Sequence, residues 1–191
     1  LPLKKIFDFY SMEVRQGIPP TTPNQSMQIG KIWKSKFKSK SKMAIFHFSV
    51  KAISRSAGRS AVACSAYRSG EKLEDHYQGK IQDYTQKTGV ESKKIYAPEN
   101  TKKELLDRQE LWNAVEQVER RKDATLAREF EIAFPHEFNA EQRQNLLDEL
   151  CQEIVEKHGV IVDACIHAPH TKSGSDERNF HAHIMFTSRQ I

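Results

Sequence analysis

The sequence predicts an α+β fold in which helices flank a central, largely antiparallel sheet. Three observations support this prediction. The elements follow in the order β-α-(β)-α-β-α-β-β, the last two strands are joined by a hairpin connection, and two long segments carry apolar residues at helical spacing. An irregular order that ends in a hairpin is typical of antiparallel or mixed sheets backed by helices.

The first elements lie between Met43 and Gly70. Met43–Val50 alternates in the manner of a strand, and Ser54–Arg59 is a small, basic loop. Ser60–Ser69 is rich in alanine and is followed by Gly70, which predicts a helix that ends at a glycine. Residues 71–98 have a mixed pattern, with a possible short strand pair near Ile81–Tyr84 and Lys94–Tyr96.

Two long helices and three strands follow. Lys102–Arg121 and Asn139–His158 are the predicted helices, and Thr125–Phe134 is a strand that ends before a proline. Val160–Ala168 and Phe180–Ser188 are the last two strands, which we expect to pair antiparallel because only a polar loop joins them.

Charge and composition divide the chain in two. It has 191 residues and a formal net charge of +5, and residues 31–42 hold six lysines and no acid. We expect residues 1–42 to form a flexible extension and residues 43–191 to form the folded domain. The positive excess suits a polyanionic partner without requiring one.

The cysteines and the hydropathy predict a cytoplasmic location for the chain. Cys64, Cys151 and Cys165 are odd in number and lack a Cys-x-x-Cys spacing, which argues against a disulfide framework or a zinc ribbon. No apolar run approaches the ~20 residues that a membrane-spanning helix needs. We therefore expect a soluble, cytoplasmic protein without membrane insertion.

His181 and His183 form a candidate metal site. In a strand, residues two apart point to the same side, so both imidazoles leave one face of the sheet. The opposite face would be apolar, with Phe180, Ala182, Ile184 and Phe186. Imidazole is a common ligand of divalent metals, but two surface histidines on an ordinary amphipathic strand would give the same pattern.

A third ligand comes from the preceding strand or from the loop after it. His167 ends the strand that should pair with the His-x-His strand, and His170 in the loop competes with it. Three imidazoles that leave coordination positions open are typical of a catalytic metal site. Glu129 and Glu131 share one face of another strand, where a carboxylate could accept a proton, orient an imidazole or face solvent.

From Met43 onward the chain resembles the MobA/MobL (MobQ-type) conjugative relaxases, enzymes that nick plasmid DNA before transfer. The order and spacing of the matching stretches agree along nearly all of residues 43–188. These stretches are Met43–Phe48, Ser54–Ala61, Ser65–Gly70, Leu111–Glu116, Ala127–Pro135, Ile166–His167 and Asn179–His183. The resemblance implies the palm-like HUH-relaxase fold and a domain that continues beyond Ile191.

The resemblance also implies the roles of the site residues. Tyr67 matches the nucleophile that attacks the scissile phosphodiester and keeps the 5′ phosphate. His167, His181 and His183 match the ligands of a divalent cation, and Glu129 matches the strand glutamate proposed as general base. The alternatives to Tyr67 are Tyr10, Tyr77, Tyr84 and Tyr96. They stay open because a tyrosine on a helix usually packs against the fold and has no catalytic role.

The implied partner is single-stranded DNA at a transfer origin, together with accessory relaxosome proteins and a conjugative coupling protein. Arg55, Arg59 and Arg68 flank the tyrosine helix and are candidates for contacts with DNA phosphates. The identity of the metal stays open among Mn²⁺, Mg²⁺, Ni²⁺, Co²⁺ and Zn²⁺. The rival interpretations are a rolling-circle replication initiator or transposase, a nonenzymatic DNA-binding module with a structural zinc, and a small-molecule metallohydrolase.

Overall fold

The structure, a computed structural model, describes residues 48–169 and 177–190. Ten helices and strands position the site within these ranges. In chain order they are β1 (Phe48–Ser54), α1 (Ala61–Ser69), β2 (Lys72–Asp75), β3 (Lys80–Asp83), β4 (Val90–Tyr96), α2 (Arg108–Val118), β5 (Thr125–Ala133), α3 (Ala140–His158), β6 (Val162–His167) and β7 (His181–Thr187).

Five of the strands form one antiparallel sheet. Their order across the sheet is β1-β5-β7-β6-β4, and every neighbouring pair is antiparallel. β2 and β3 form a separate two-stranded hairpin. The predicted α+β fold with a central antiparallel sheet is therefore confirmed, and so is the antiparallel pairing of the last two strands.

One face of the sheet packs on helix α3. This helix begins at a capping box, in which the Asn139 side chain accepts from the backbone of Gln142 while the Gln142 side chain accepts from the backbone of Asn139. It ends at Gly159, whose φ of 62° is left-handed. The core beneath it includes Phe130, Leu147, Ile154, Ile184 and Phe186. The apolar side of the His-x-His strand is thus buried, as predicted.

Helices α1 and α2 cover the other face. Leu111 and Trp112 of α2 are fully buried there with Met185 of β7. Met185 shares its face with His181 and His183 because side chains alternate along a strand. The two histidines are only half-buried, whereas Met185 is completely covered.

The structure corrects two details of the sequence analysis. The segments near Ile81–Tyr84 and Lys94–Tyr96 do contain strands, but β3 pairs with β2 and β4 pairs with β6. The segment Lys102–Arg121 is a 3-10 turn followed by a shorter helix, because Asp107 caps a new N-terminus through the backbone N–H of Glu110.

Several predictions lie outside the described residues. They concern the extension 1–42, the start of the first strand at Met43, Tyr10 and His170. In the described part of the chain, no helix combines the length and the apolar character needed to cross a membrane.

Candidate active site

Three imidazoles meet at one end of the sheet. His167 lies directly opposite His181 in the register of β6 and β7, and Cys165 lies opposite His183. One ligand atom from each histidine lies within 4.8 Å of the others. The ring centroids of the three pairs are 4.9 to 5.3 Å apart. The structure thus brings His167 together with His181 and His183.

Each imidazole has one ring nitrogen against an oxygen acceptor. Nε2 of His167 lies 2.7 Å from the carbonyl of Arg68, and Nδ1 of His181 lies 3.1 Å from the carbonyl of Asn179. Nδ1 of His183 lies 2.7 Å from a carboxylate oxygen of Glu129. Because these oxygens accept, the facing nitrogens carry the protons and the second nitrogen of each ring keeps its lone pair.

This donor set fits a divalent cation. Metal-binding imidazoles characteristically donate their other N–H to a carbonyl or a carboxylate, which fixes the tautomer and the ring orientation. Burial lowers the pKa of His167 to about 3, although the Arg68 carbonyl opposes the shift. Burial also lowers the pKa of His181. Both rings are therefore neutral at neutral pH, the state that binds a metal.

Glu129 is the buried carboxylate behind the histidines. Its side chain is fully buried and accepts two 2.5 Å hydrogen bonds from Arg68, at Oε1 and Oε2, besides the one from His183. Burial alone would raise the pKa of Glu129, but the bonds from His183 and Arg68 outweigh it and lower the pKa to about 2. Glu129 is therefore ionised and engaged on both oxygens, an arrangement that fits orienting His183 better than accepting a proton.

Tyr67 lies in the last turns of α1 and is about half exposed, at 52%. The helix begins at Ser60, whose hydroxyl accepts from the N–H of Ala63, and ends at Gly70. The ring of Tyr67 contacts the ring of Tyr84 edge-on, with centroids 5.3 Å apart. Exposure of the ring leaves the hydroxyl accessible to a large substrate.

The alternative tyrosines are placed differently. Tyr96 is buried against α3 and donates a 2.5 Å hydrogen bond to Asp148. Burial and this bond raise the pKa of Tyr96, so its hydroxyl stays protonated. Tyr77 lies in the turn of the β2–β3 hairpin, where Arg55 stacks 4.1 Å from its ring centroid. Tyr84 packs on Tyr67 itself.

The three arginines predicted to contact DNA differ in their surroundings. Arg55 is mostly buried and donates to the Glu116 carboxylate at 2.6 Å and to carbonyl oxygens at the end of α2. Arg68 is mostly buried against Glu129 and donates to the carbonyl of Cys64. Arg59 is exposed. The guanidinium groups of Arg55 and Arg68 are thus used inside the fold, and Arg59 is open to solvent.

Two groups near the site were missed in the sequence analysis. Asp163 of β6 is buried and accepts from Ser65 of α1 at 2.6 Å, from Trp112 at 2.9 Å and from Arg108. Lys87, in the loop between β3 and β4, lies over the ring of Tyr67. The signal for Asp163 was an acid inside an otherwise apolar strand, whereas nothing local marks Lys87.

The chain is similar in sequence to proteins of plasmid mobilisation and conjugal transfer. A sequence model of the MobA/MobL family matches residues 59–191. The Mobilization protein MobL of Acidithiobacillus ferridurans is 39% identical over 168 residues, which cover 78% of this chain and 44% of that protein. The Conjugal transfer protein TraA of Rhizobium radiobacter is 34% identical over 159 residues, which cover 78% of this chain and 14% of that protein.

A solved structure shares the fold. It is described as "Molecular Basis of Vancomycin Resistance Transfer in Staphylococcus aureus", and it matches with a TM-score of 0.68 and 35% identity over 75% of this chain and 70% of that chain. The chain spans 44% of the MobL relative and 14% of the TraA relative.

Proposed function

Because the chain belongs to the MobA/MobL family, we propose that it is the DNA-nicking domain of a conjugative relaxase. Its substrate is single-stranded DNA at a plasmid transfer origin, which it cleaves at a specific site to start mobilisation. The accessory relaxosome proteins and the coupling protein are partners of the full-length protein in this proposal. The site would work in the cytoplasm of the donor cell.

One observation carries the proposal. The carbonyl of Arg68 lies 2.7 Å from Nε2 of His167, and Arg68 follows Tyr67 directly in the chain. The end of helix α1 that bears the tyrosine is thereby attached to the three-histidine cluster. A nucleophile and a cation site that act on one phosphate have to be adjacent in this way.

Tyr67 is the proposed nucleophile. Its hydroxyl oxygen forms a bond to the scissile phosphorus while the bond from phosphorus to the 3′ oxygen breaks. The phenolic proton passes to solvent, and the leaving 3′ oxygen takes up a proton. Because the phosphate ester is kept on the tyrosine, the 3′ hydroxyl can reverse the reaction and reseal the strand.

The histidines hold the cation in this proposal. When bound by His167, His181 and His183, a divalent ion such as Mn²⁺, Mg²⁺, Ni²⁺, Co²⁺ or Zn²⁺ would withdraw charge from the phosphate oxygens. Glu129 keeps the Nδ1–H of His183 in place, and Arg68 keeps Glu129 ionised. The role proposed for Glu129 is thus to orient a ligand rather than to act as the general base.

In this proposal, exposed basic side chains bind the phosphates of the DNA. Arg59 precedes the tyrosine helix at the surface, and the chain has a net charge of +5. Phosphate contacts of this kind fix the position of a strand and weaken as the salt concentration rises.

A labelling experiment tests the proposal. Single-stranded DNA from the transfer origin of the encoding element, labelled on the 3′ side of the nick, is incubated with the protein and Mn²⁺ or Mg²⁺. We expect a protein-linked band that survives denaturation and is absent in excess chelator. DNA binding without any linked product would instead support a nonenzymatic module. Cleavage at a replication origin alone would support a rolling-circle initiator.

A further inference from the structure

We propose that Lys87 is a further positioning residue of the nicking site, whose ammonium group holds the ring of Tyr67 and stabilises the negative charge that forms there when the phenol loses its proton. The inference rests on the proposed function and adds a residue to it. Lys87 belongs to the loop between β3 and β4, which is remote from Tyr67 in the sequence.

The ammonium group makes two contacts with the same tyrosine. Nζ of Lys87 lies 3.8 Å from the centroid of the Tyr67 ring. It also donates a 2.8 Å hydrogen bond to the backbone carbonyl of Tyr67. A cation over the face of an aromatic ring is attracted by the electrons of the ring, and the attraction increases as the ring gains negative charge. The two contacts together restrain both the backbone and the ring of the nucleophile.

Backbone hydrogen bonds anchor this loop both to the tyrosine helix and to the strand of His167. The N–H of Tyr84 donates to the carbonyl of Glu71, just after α1, and the N–H of Lys87 donates to the carbonyl of Tyr84. At the far end, the carbonyl of Gly89 accepts from the N–H of Ala168, which follows His167. The loop therefore connects the helix that carries the tyrosine to the strand that carries a histidine.

Gly70 lets this loop lie against the end of the helix. Its φ of +63° is left-handed, and a Cβ there would lie 3.3 Å from Val90 and 3.8 Å from the Cβ of Lys87. Any other residue would be strained at this φ, and its Cβ would crowd the side chain of Val90. The close approach places Lys87 within reach of Tyr67.

Within the described residues, the charge of Lys87 has no acidic partner. Among the ion pairs of residues 48–169 and 177–190, none includes Lys87. Burial lowers the pKa of Lys87 to about 8, and the charge of Arg68 contributes to the shift. At neutral pH the group is still mostly protonated. A partly dehydrated cation beside a nucleophile can stabilise negative charge more strongly than one in bulk water.

The test compares Lys87→Met, Lys87→Arg and the control Lys93→Gln with the unaltered protein. Lys93 also lies near α1, where it pairs with Glu71 at 2.6 Å and lies 3.5 Å from the carbonyl of Ser69 without contacting Tyr67. Two quantities are measured for each protein. One is the rate of covalent adduct formation at saturating origin DNA, and the other is the Kd for the same DNA without the divalent metal.

We expect Lys87→Met to lower the adduct rate at saturating DNA roughly 10-fold or more while changing the Kd by less than about 3-fold. Lys87→Arg should keep most of the rate, because arginine retains the cation and stacks on aromatic rings. Lys93→Gln should leave the rate unchanged. Circular dichroism and the thermal midpoint report whether each variant is folded.

Three outcomes would overturn the inference. The first is an unchanged adduct rate in Lys87→Met. The second is a loss that appears only in the Kd, which would make Lys87 a DNA-phosphate contact. The third is an equal loss in Lys87→Arg with normal folding. If the unaltered protein forms no adduct, the proposed function itself fails, and the inference about Lys87 falls with it.

Discussion

Arg68 donates two hydrogen bonds of 2.5 Å to the two carboxylate oxygens of Glu129. Glu129 in turn accepts from Nδ1 of His183, while the backbone carbonyl of Arg68 accepts from Nε2 of His167. One residue of helix α1 therefore orients two of the three imidazoles, one directly and one through a carboxylate. The planar, bidentate geometry of a guanidinium is what allows a single side chain to hold both oxygens.

The first prediction concerns Arg68→Lys. An ammonium group cannot reproduce the bidentate contact, so Glu129 and His183 should lose their fixed orientation. We expect the affinity for Mn²⁺ to fall about 10- to 100-fold, which is the usual effect of removing a group that orients a metal ligand. Isothermal titration of the metal-free protein with Mn²⁺ measures this change.

Arg121→Lys is the matched control, because Arg121 forms an exposed ion pair with Asp123. Its affinity for Mn²⁺ should equal that of the unaltered protein. An Arg68→Lys variant that binds Mn²⁺ normally but binds origin DNA weakly would restore the original interpretation of Arg68 as a DNA contact.

The second prediction concerns Tyr67→Phe. Without the hydroxyl, no phosphotyrosine can form, so the protein-linked band should disappear. The aromatic ring and its contact with Tyr84 remain, so DNA binding should change by less than about 3-fold. Denaturing gel electrophoresis measures the adduct, and fluorescence anisotropy measures the Kd. Tyr77→Phe is the control and should form the adduct normally; an adduct in Tyr67→Phe would rule out Tyr67 as the nucleophile.

The third prediction concerns the metal ligands. His181→Ala and His183→Ala each remove one imidazole from the cluster and should abolish nicking that depends on a divalent cation. The control is His76→Ala, because His76 is an exposed histidine by the β2–β3 hairpin with no part in the cluster. Nicking is measured at several Mn²⁺ concentrations. Full activity of the unaltered protein in excess chelator would contradict the metal site.

The sequence was most informative where one strand face is apolar. Alternation around His181 and His183 placed both imidazoles on one side of β7, and the hairpin connection placed His167 beside them. The glycines at 70 and 159 marked the helix ends, because a left-handed φ is easiest for glycine. These features depend on residues close together in the chain, or on one pairing that the connection fixes.

The sequence was less informative where a role depends on distant partners. Charge alone cannot tell an arginine that faces DNA from one that pairs with a buried acid, and Arg55 and Arg68 have buried partners more than 60 residues away. The strand β4 likewise pairs with β6, which lies far along the chain and which no local pattern specifies. Lys87 is the clearest case, since only the folded loop brings it to Tyr67.

The fourth prediction concerns acid stability. The pKa of Glu129 is lowered from 4.5 to about 2, so its ionised form stabilises the fold. That contribution is fully present above pH 4.5 and is lost as the pH falls towards 2, and it amounts to ~3 kcal/mol for a shift of this size. Urea unfolding of the metal-free protein and of Glu129→Gln should show a difference in unfolding free energy that shrinks between pH 4.5 and pH 2. A difference that stays constant between pH 4.5 and pH 2 would contradict the lowered pKa of Glu129.

The fifth prediction concerns Asp163, the acid that links α1 and α2 to β6. Asp163→Ala removes the acceptor for Ser65, Trp112 and Arg108 and leaves the Arg108 guanidinium without its buried partner. Loss of one member of a buried ion pair typically costs ~3–5 kcal/mol, because the remaining charge stays dehydrated. Denaturant unfolding should show a decrease of this size, whereas Asp123→Ala, at an exposed and solvent-screened pair, should cost far less. Equal losses in the two variants would mean that the buried network contributes no more than a surface ion pair.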